Sequence, residues 1–275
     1  MKRLPEDRPS IPELRCVYAD LDGTLLGPGG SLFAAPGGGV TDRAAEALRR
    51  LHLAGVRLVL MSGRTRRGLA EVARVLGADT YIAELGALIV ERHEAGETVI
   101  HNPGTPSHAA SIRAIVRSGA GALLLERFPR RLRPVAPWSE VTLMLQGWVE
   151  PDEANAALRS AGYGWLELQD NGRMRRTVPG LEVDEVHALH LLPKGIDKAS
   201  AVALDRERHA VPAACAIAVG DSRSDLRVAA EVGAFFLVAN GLPSLEGASL
   251  PDNVWVTGSA HGDGFAEAIE ASLPR

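Results

Sequence analysis

Two aspartates, Asp20 and Asp22, stand two residues apart where an apolar run gives way to Gly23-Thr24. The run Leu14 to Ala19 reads as a buried parallel strand, being short, apolar and followed by turn residues. The carboxyl end of such a strand in an open α/β sheet faces the crevice where ligands bind. A carboxylate there is costly to desolvate, so it serves a cation or a reaction. A single strand-end Asp commonly caps a turn; Asp-x-Asp-Gly-Thr is more than a cap requires.

Three further sets of polar residues close apolar runs. Val56 to Met61 ends at Ser62-Gly63-Arg64. Ala216 to Val219 ends at Gly220-Asp221-Ser222-Arg223-Ser224-Asp225. Between them lies Pro193-Lys194-Gly195-Ile196-Asp197-Lys198-Ala199, in which Asp197 reads as a helix cap and places Lys198 on the first turn. Phosphoryl transfer needs an in-line nucleophile, a cation over the phosphoryl oxygens and positive donors around the developing charge. Asp20 suits the nucleophile, forming an aspartyl-phosphate. Asp22 suits the proton donor to the leaving oxygen and then the base for water. The Ser62 hydroxyl can bond a phosphate oxygen, with Gly63 and Arg64 beside it as substrate contacts. Lys198 can neutralise the site, with Lys194 as the rival lysine. Acids crowded at two strand ends repel unless a proton or a divalent cation intervenes, and an oxygen-only donor set suits Mg²⁺.

The elements around these residues alternate. Strand, helix (Thr41 to Gly55), strand, helix (through Leu69, Val72, Ala73 and Leu76 to Gly77) and a strand over Tyr81 to Val90 give β-α-β-α-β, hence a parallel sheet with right-handed crossovers. From about residue 89 the rhythm changes. Val141 to Val149 reads as a long strand and Pro151 to Ala161 as a helix. Trp165 to Val178 reads as a hairpin about Asn171-Gly172. The α/β rhythm returns with a strand at His187 to Leu192 and helix Lys198 to His209. The expected fold is α/β: a Rossmann-like parallel sheet with helices on both faces, in two parts (1–88 and 187–275), interrupted by an α+β insertion at 89–186.

The motif set Asp20-x-Asp22, Ser62, Lys198 (or Lys194) and Gly220-Asp221 with Asp225 resembles, in order and over nearly the whole chain, the haloacid dehalogenase superfamily of phosphohydrolases. The resemblance implies that Asp20 and Asp221 ligate Mg²⁺ by side chain, Asp22 by its backbone carbonyl, and that Asp225 is a ligand or supports one. The insertion, lying between the Ser and Lys motifs, resembles the C2B cap of Cof-type and sucrose- or mannosylglycerate-type phosphatases. Glu84-Leu85-Gly86-Ala87 resembles the Glu-Asn-Gly-Ala turn leading into such caps, with Leu85 in place of Asn; Ser224 likewise stands where those relatives have Asn. The function implied is a Mg²⁺-dependent phosphatase acting on a sugar phosphate or phosphoglycerate-type ester. A phosphomutase shares the same acids, and a non-catalytic binding module would have lost one of them.

Composition narrows the setting. The 275 residues carry a net charge of −4, which argues against a nucleic-acid or polybasic membrane partner. No apolar stretch reaches membrane-span length, and Met1 to Pro12 lacks the apolar region of a signal peptide. Cys16 and Cys215 read as buried reduced thiols. The expectation is a cytoplasmic monomer or homodimer. The insertion's arginines (Arg127, Arg130, Arg131, Arg133, Arg173, Arg175, Arg176) read as a solvated surface. His187 and His190 face opposite sides of one strand and make a poor metal pair. Trp148 and Trp165 read as insertion core.

Overall fold

Strands whose residues are buried on both faces need a layer of helices on each side. The computed structural model describes residues 2–4, 6–103, 112–135, 139–174, 177–245 and 249–273 and shows that arrangement. The first half contributes strands β1 (Lys2–Arg3), β2 (Cys16–Asp20), β3 (Arg57–Met61), β4 (Thr80–Ala83), β5 (Leu88–His93) and β6 (Gly96–His101), with helices α1 (Arg43–Leu53) and α2 (Arg66–Leu76) between them. The middle supplies α3 (Ile112–Ser118), α4 (Ala120–Arg127), β7 (Leu132–Pro134), β8 (Leu143–Gly147), α5 (Pro151–Ser160), β9 (Leu166–Met174) and β10 (Val186–Pro193). The last third adds α6 (Lys198–Arg208), β11 (Ala216–Gly220), α7 (Arg223–Leu226), β12 (Ala234–Leu237), β13 (Val254–Val256) and α8 (His261–Ser272).

Nine strands form one sheet in the order β1-β13-β12-β11-β2-β3-β4-β5-β6. From β1 to β4 every pairing is parallel, and β5 and β6 extend the edge antiparallel. Alternation along each central strand feeds two cores. Val17, Ala19, Leu58, Leu60, Ile217 and Val219 pack with α1, α2 and α8 on one face. Cys16, Tyr18, Val59, Met61, Ala216 and Ala218 pack with Ala201 and Val202 of α6 and with Val228 and Ala229 on the other. Each such side chain, fully removed from water, contributes about 1.5–3 kcal/mol when it is as large as Val or Leu. The second sheet, β7-β8-β10-β9, is antiparallel. One face, through Leu143, Leu145, Leu168, Leu189 and Leu191, packs on Ile115, Leu124 and Leu158 of its own helices.

Several elements depart from the sequence reading. Tyr81 to Val90 is two antiparallel strands, because Glu84 and Leu85 take positive φ (52° and 57°) and fold the chain back at Gly86. Strands β5 and β6 therefore continue the large sheet, although residue 89 was expected to open the insertion. Conversely, His187 to Leu192, expected in the core, is β10 of the small sheet, so the crossings between sheets lie after His101 and after Pro193. Asn171-Gly172 is not a hairpin turn. Asp170 pairs with Leu189 and Arg173 with His187, so Asn171 and Gly172 together oppose Ala188 as a bulge in a continuous β9. Gly172 at φ 101° accommodates it, and its N–H bonds Asp170 Oδ1 at 2.8 Å. Cys215, expected to be buried, is half-buried on a 3₁₀ turn before β11.

Candidate active site

The carboxyl ends of β2, β3 and β11 lie side by side, because these strands are parallel neighbours. Asp20 ends β2 and is 5% exposed. Asp221 and Asp225 follow β11, and one carboxylate oxygen from each of the three acids lies within 4.8 Å of the others. Two glycines permit this approach. A Cβ on Gly23 (φ 92°) would sit 2.2 Å from Asp221 Oδ2, and one on Gly220 would meet Asp225 Cβ at 2.4 Å.

Lys198 enters from the first turn of α6, where Asp197 forms a capping box with Ser200. Its ammonium is 1% exposed and donates to Asp20 Oδ1 at 2.7 Å and Asp225 Oδ1 at 2.6 Å. Lys194 is exposed on the loop before the helix. The capped helix thus brings Lys198, and not Lys194, to the acids. Burial works against the Lys198 ammonium, but Asp20 and Asp225 outweigh it and hold its pKa above the ordinary lysine value. Asp225 has little capacity left: its Oδ2 already accepts from the backbone N–H groups of Asp221 and Ser222 and from Ser222 Oγ. It therefore fixes Lys198 and the Asp221 loop.

Burial first, then the Asp225 carboxylate, pushes Asp20 up to about 7, against the pull of Lys198. Burial followed by Asp20 and Asp225 raises Asp221 well above the usual carboxylate range. Three carboxylates face one ammonium, a surplus of negative charge that a hard dication would relieve. Asp20 and Asp221 are the oxygen donors that fit it, and Mg²⁺ is the ion such a set suits.

Ser62, 3% exposed, directly follows β3, with its hydroxyl accepting from Arg64 N–H at 3.1 Å. The Arg64 guanidinium makes a two-bond pair with Asp22 at 2.8 and 2.6 Å. Asp22 is half-exposed, and its side chain stands apart from the clustered acids.

Sequence reasoning gave no role in the site to five residues that the structure places near it. Asn240 donates to Gly23 O and Asp221 Oδ2 (2.9 and 3.1 Å), and its carbonyl takes the His261 N–H. The His261 ring lies 2.9 Å from Gly23 O. Buried Glu84 accepts from the backbone N–H groups of Glu140, Val141 and Thr142, tying the β4–β5 turn to the small sheet. His190 and Asn171 reach Gly63 from the small sheet: a Cβ there would lie 2.2 Å from Asn171 Nδ2 and 3.1 Å from His190 Nε2. The only sequence signal was a single polar residue in an otherwise apolar run, as at Leu189-His190-Leu191. Of the insertion's arginines, Arg130 pairs with Glu182, Arg173 with Glu185, and Arg133 bonds Pro179 O. Arg175 and Arg176 lie outside the described residues. Trp165 packs against the small core, but Trp148 stacks on His187 with centroids 4.2 Å apart. Among the described residues no helix is long and apolar enough to cross a membrane.

Residues 17–127 match the family model described as haloacid dehalogenase-like hydrolase. The chain is 30% identical over 264 residues to a phosphoglycolate phosphatase of Pyrobaculum aerophilum, covering 94% of this chain and 96% of the relative. A phosphoglycolate phosphatase of Methanoculleus marisnigri is 28% identical over 267 residues, covering 95% and 97%. Among solved structures, a Thermoplasma acidophilum protein superposes with a TM-score of 0.64 at 18% identity, covering 94% of this chain and 99% of that one. The Synechocystis sucrose-phosphatase, solved with sucrose and phosphate, superposes at 0.63 and 19% identity, covering 94% and 97%.

Proposed function

From a chain that belongs to the haloacid dehalogenase-like hydrolases and is a phosphatase, we propose a Mg²⁺-dependent enzyme that frees phosphate from a small phosphorylated metabolite. The observation that carries this reading is the buried Asp20–Lys198–Asp225 chain beside Asp221. It holds a carboxylate nucleophile against a fixed cation at a strand end. Asp20 attacks phosphorus and forms the aspartyl-phosphate, expelling the alcohol. Lys198 and Ser62 stabilise the phosphoryl oxygens. Asp22, at the rim beside Arg64, protonates the leaving oxygen and then takes the proton of the attacking water. Bound between Asp20 and Asp221, with the Asp22 backbone carbonyl, Mg²⁺ would neutralise developing charge on the phosphoryl group.

The names of the relatives support an ester of a short hydroxy acid, of phosphoglycolate or phosphoglycerate type, ahead of a sugar phosphate. The setting is the cytoplasm, consistent with free cysteines, with the chain acting as a monomer or homodimer and without nucleic-acid or membrane partners. The test is phosphate release from a panel of such esters, with Mg²⁺ and with chelator, for the wild type and Asp20→Asn. Release that ignores Mg²⁺, or equal rates in the two proteins, overturns the reading.

A further inference from the structure

The small sheet has two faces. The leucine face packs on its own helices, while the other turns toward the large sheet, where Gln169 Nε2 donates to Ile196 O at 2.8 Å. His190, the register partner of Gln169, shares that face and is fully buried. Its Nδ1 lies 3.2 Å from Thr142 Oγ1, and Thr142 Oγ1 lies 3.3 Å from Glu84 Oε2. A carboxylate only accepts, so the single Thr142 hydroxyl proton goes to Glu84, and Thr142 must accept from His190 Nδ1–H. The relay fixes the tautomer: Nδ1 carries the proton and Nε2 keeps a bare lone pair. Burial, then the Lys198 charge, pushes the imidazole down to about 3, so the ring is neutral.

Among the described residues, that Nε2 has no hydrogen-bond partner. It points at the Ser62-Gly63 turn, where only the missing Cβ of Gly63 leaves room for it and for Asn171. A buried acceptor left unpaired is costly, and it is satisfied by a donor arriving with the ligand. The substrate's phosphate cannot serve, since ionised oxygens only accept, and neither can a substrate carboxylate. A hydroxyl can.

We propose that His190 Nε2 accepts a hydrogen bond from a hydroxyl on the alcohol portion of the substrate, so that the site selects phosphate esters whose leaving group carries a further hydroxyl. This rests on the phosphatase reading above and narrows its substrate class to phosphoglycerate-like esters in preference to phosphoglycolate, whose leaving group carries no further hydroxyl. His190 is a specificity residue; it takes no part in the bond-breaking steps.

The test uses two esters that differ by one hydroxyl, 3-phosphoglycerate and 3-phosphopropionate. The wild type should favour the hydroxylated ester in kcat/KM by about tenfold or more. His190→Leu should bring that ratio close to one, chiefly by lowering kcat/KM for 3-phosphoglycerate, and a thermal melt reports that the variant folds. His190→Gln, which retains an acceptor oxygen, should keep part of the preference. A purely structural role would slow both esters equally and leave the ratio unchanged, and that result overturns the proposal. Imidazole ¹⁵N spectra of Asp20→Asn provide a reading independent of turnover. The His190 Nε2 resonance should be that of an unprotonated ring nitrogen and should move on adding 3-phosphoglycerate but not 3-phosphopropionate. Equal movement with both, or a protonated Nε2, overturns the proposal as well. Absence of phosphate release from every ester, with the Nε2 response intact, overturns the phosphatase reading alone.

Discussion

Replacing Asp20 by Asn should make the metal-free protein more stable while abolishing its activity. In the fold Asp20 sits at about 7, against the ordinary 3.8, because it is buried beside Asp225. A carboxyl whose folded pKa is raised contributes stability below its unfolded pKa, and loses it as pH climbs toward the folded value. In the wild type that loss begins near pH 4 and is complete above pH 7. At about 1.4 kcal/mol per pH unit, the interval corresponds to about 4 kcal/mol. An amide in the same place does not ionise, so the variant escapes the loss, less whatever its weaker bond to Lys198 gives up. For a domain of this size each kcal/mol moves Tm by about 2–4 °C, so Asp20→Asn should melt several degrees higher at pH 8 in chelator. The gap should close toward pH 4. Saturating Mg²⁺ should narrow or reverse it, since a ligand stabilises in proportion to its affinity for the folded state and the variant has lost a donor. Thermal melts at pH 4, 6 and 8, with and without Mg²⁺, supply the data. A variant that melts at or below the wild type at pH 8 without metal would refute the electrostatic reasoning.

Lys198→Met should lower phosphate release by about 10²–10³-fold, as expected when a fixed donor to the transferring group is lost. Lys198→Arg should not restore it, because a planar fork cannot replace a point charge between Asp20 and Asp225. Gly23→Ala drives a Cβ toward Asp221 Oδ2 and places alanine at φ 92°; the Mg²⁺ concentration for half-maximal activity should rise, and stability should fall by more than about 1 kcal/mol. Arg57→Met strands the buried Asp205, which now receives two guanidinium bonds at 2.6 and 2.8 Å and the Tyr18 hydroxyl. The expected cost is about 3–5 kcal/mol in unfolding free energy, with kcat of the folded fraction unchanged, since Arg57 starts β3 and Ser62 follows its far end. Urea titration and specific-activity measurements separate the two.

The gathering of Asp20, Ser62, Lys198 and Asp221 at one corner was legible because its signals are local: an apolar run, a turn, and an acid or hydroxyl at a strand end. Asp197 as a helix cap even implied that Lys198 begins the helix. Sheet membership was not legible. His187 to Leu192 is as short and apolar as any core strand, and nothing within it names its neighbours. Asn171-Gly172 carries the chemistry of a tight turn, yet the same positive φ serves a bulge when a partner strand runs past it. Alternation on either side of Glu84 hid a reversal that depends on three distant N–H groups holding its carboxylate. His190, Asn240 and His261 act through contacts far from them in sequence, which spacing does not encode.

Strand β2 carries the first acid of the site near the start of the chain, yet in the finished sheet it is flanked by β3 and β11. One of its edges therefore waits for a strand that emerges from the ribosome only after the whole small sheet and α6 have been made. Until then the nascent protein carries an open, apolar parallel edge, a surface prone to pairing with other chains. Long-range closure of this kind is slow, and the acids of β11 add repulsion to the last docking step. A chain cut short before Ala216 should thus be more than inactive: it should aggregate, because its central strand has lost half of its partners.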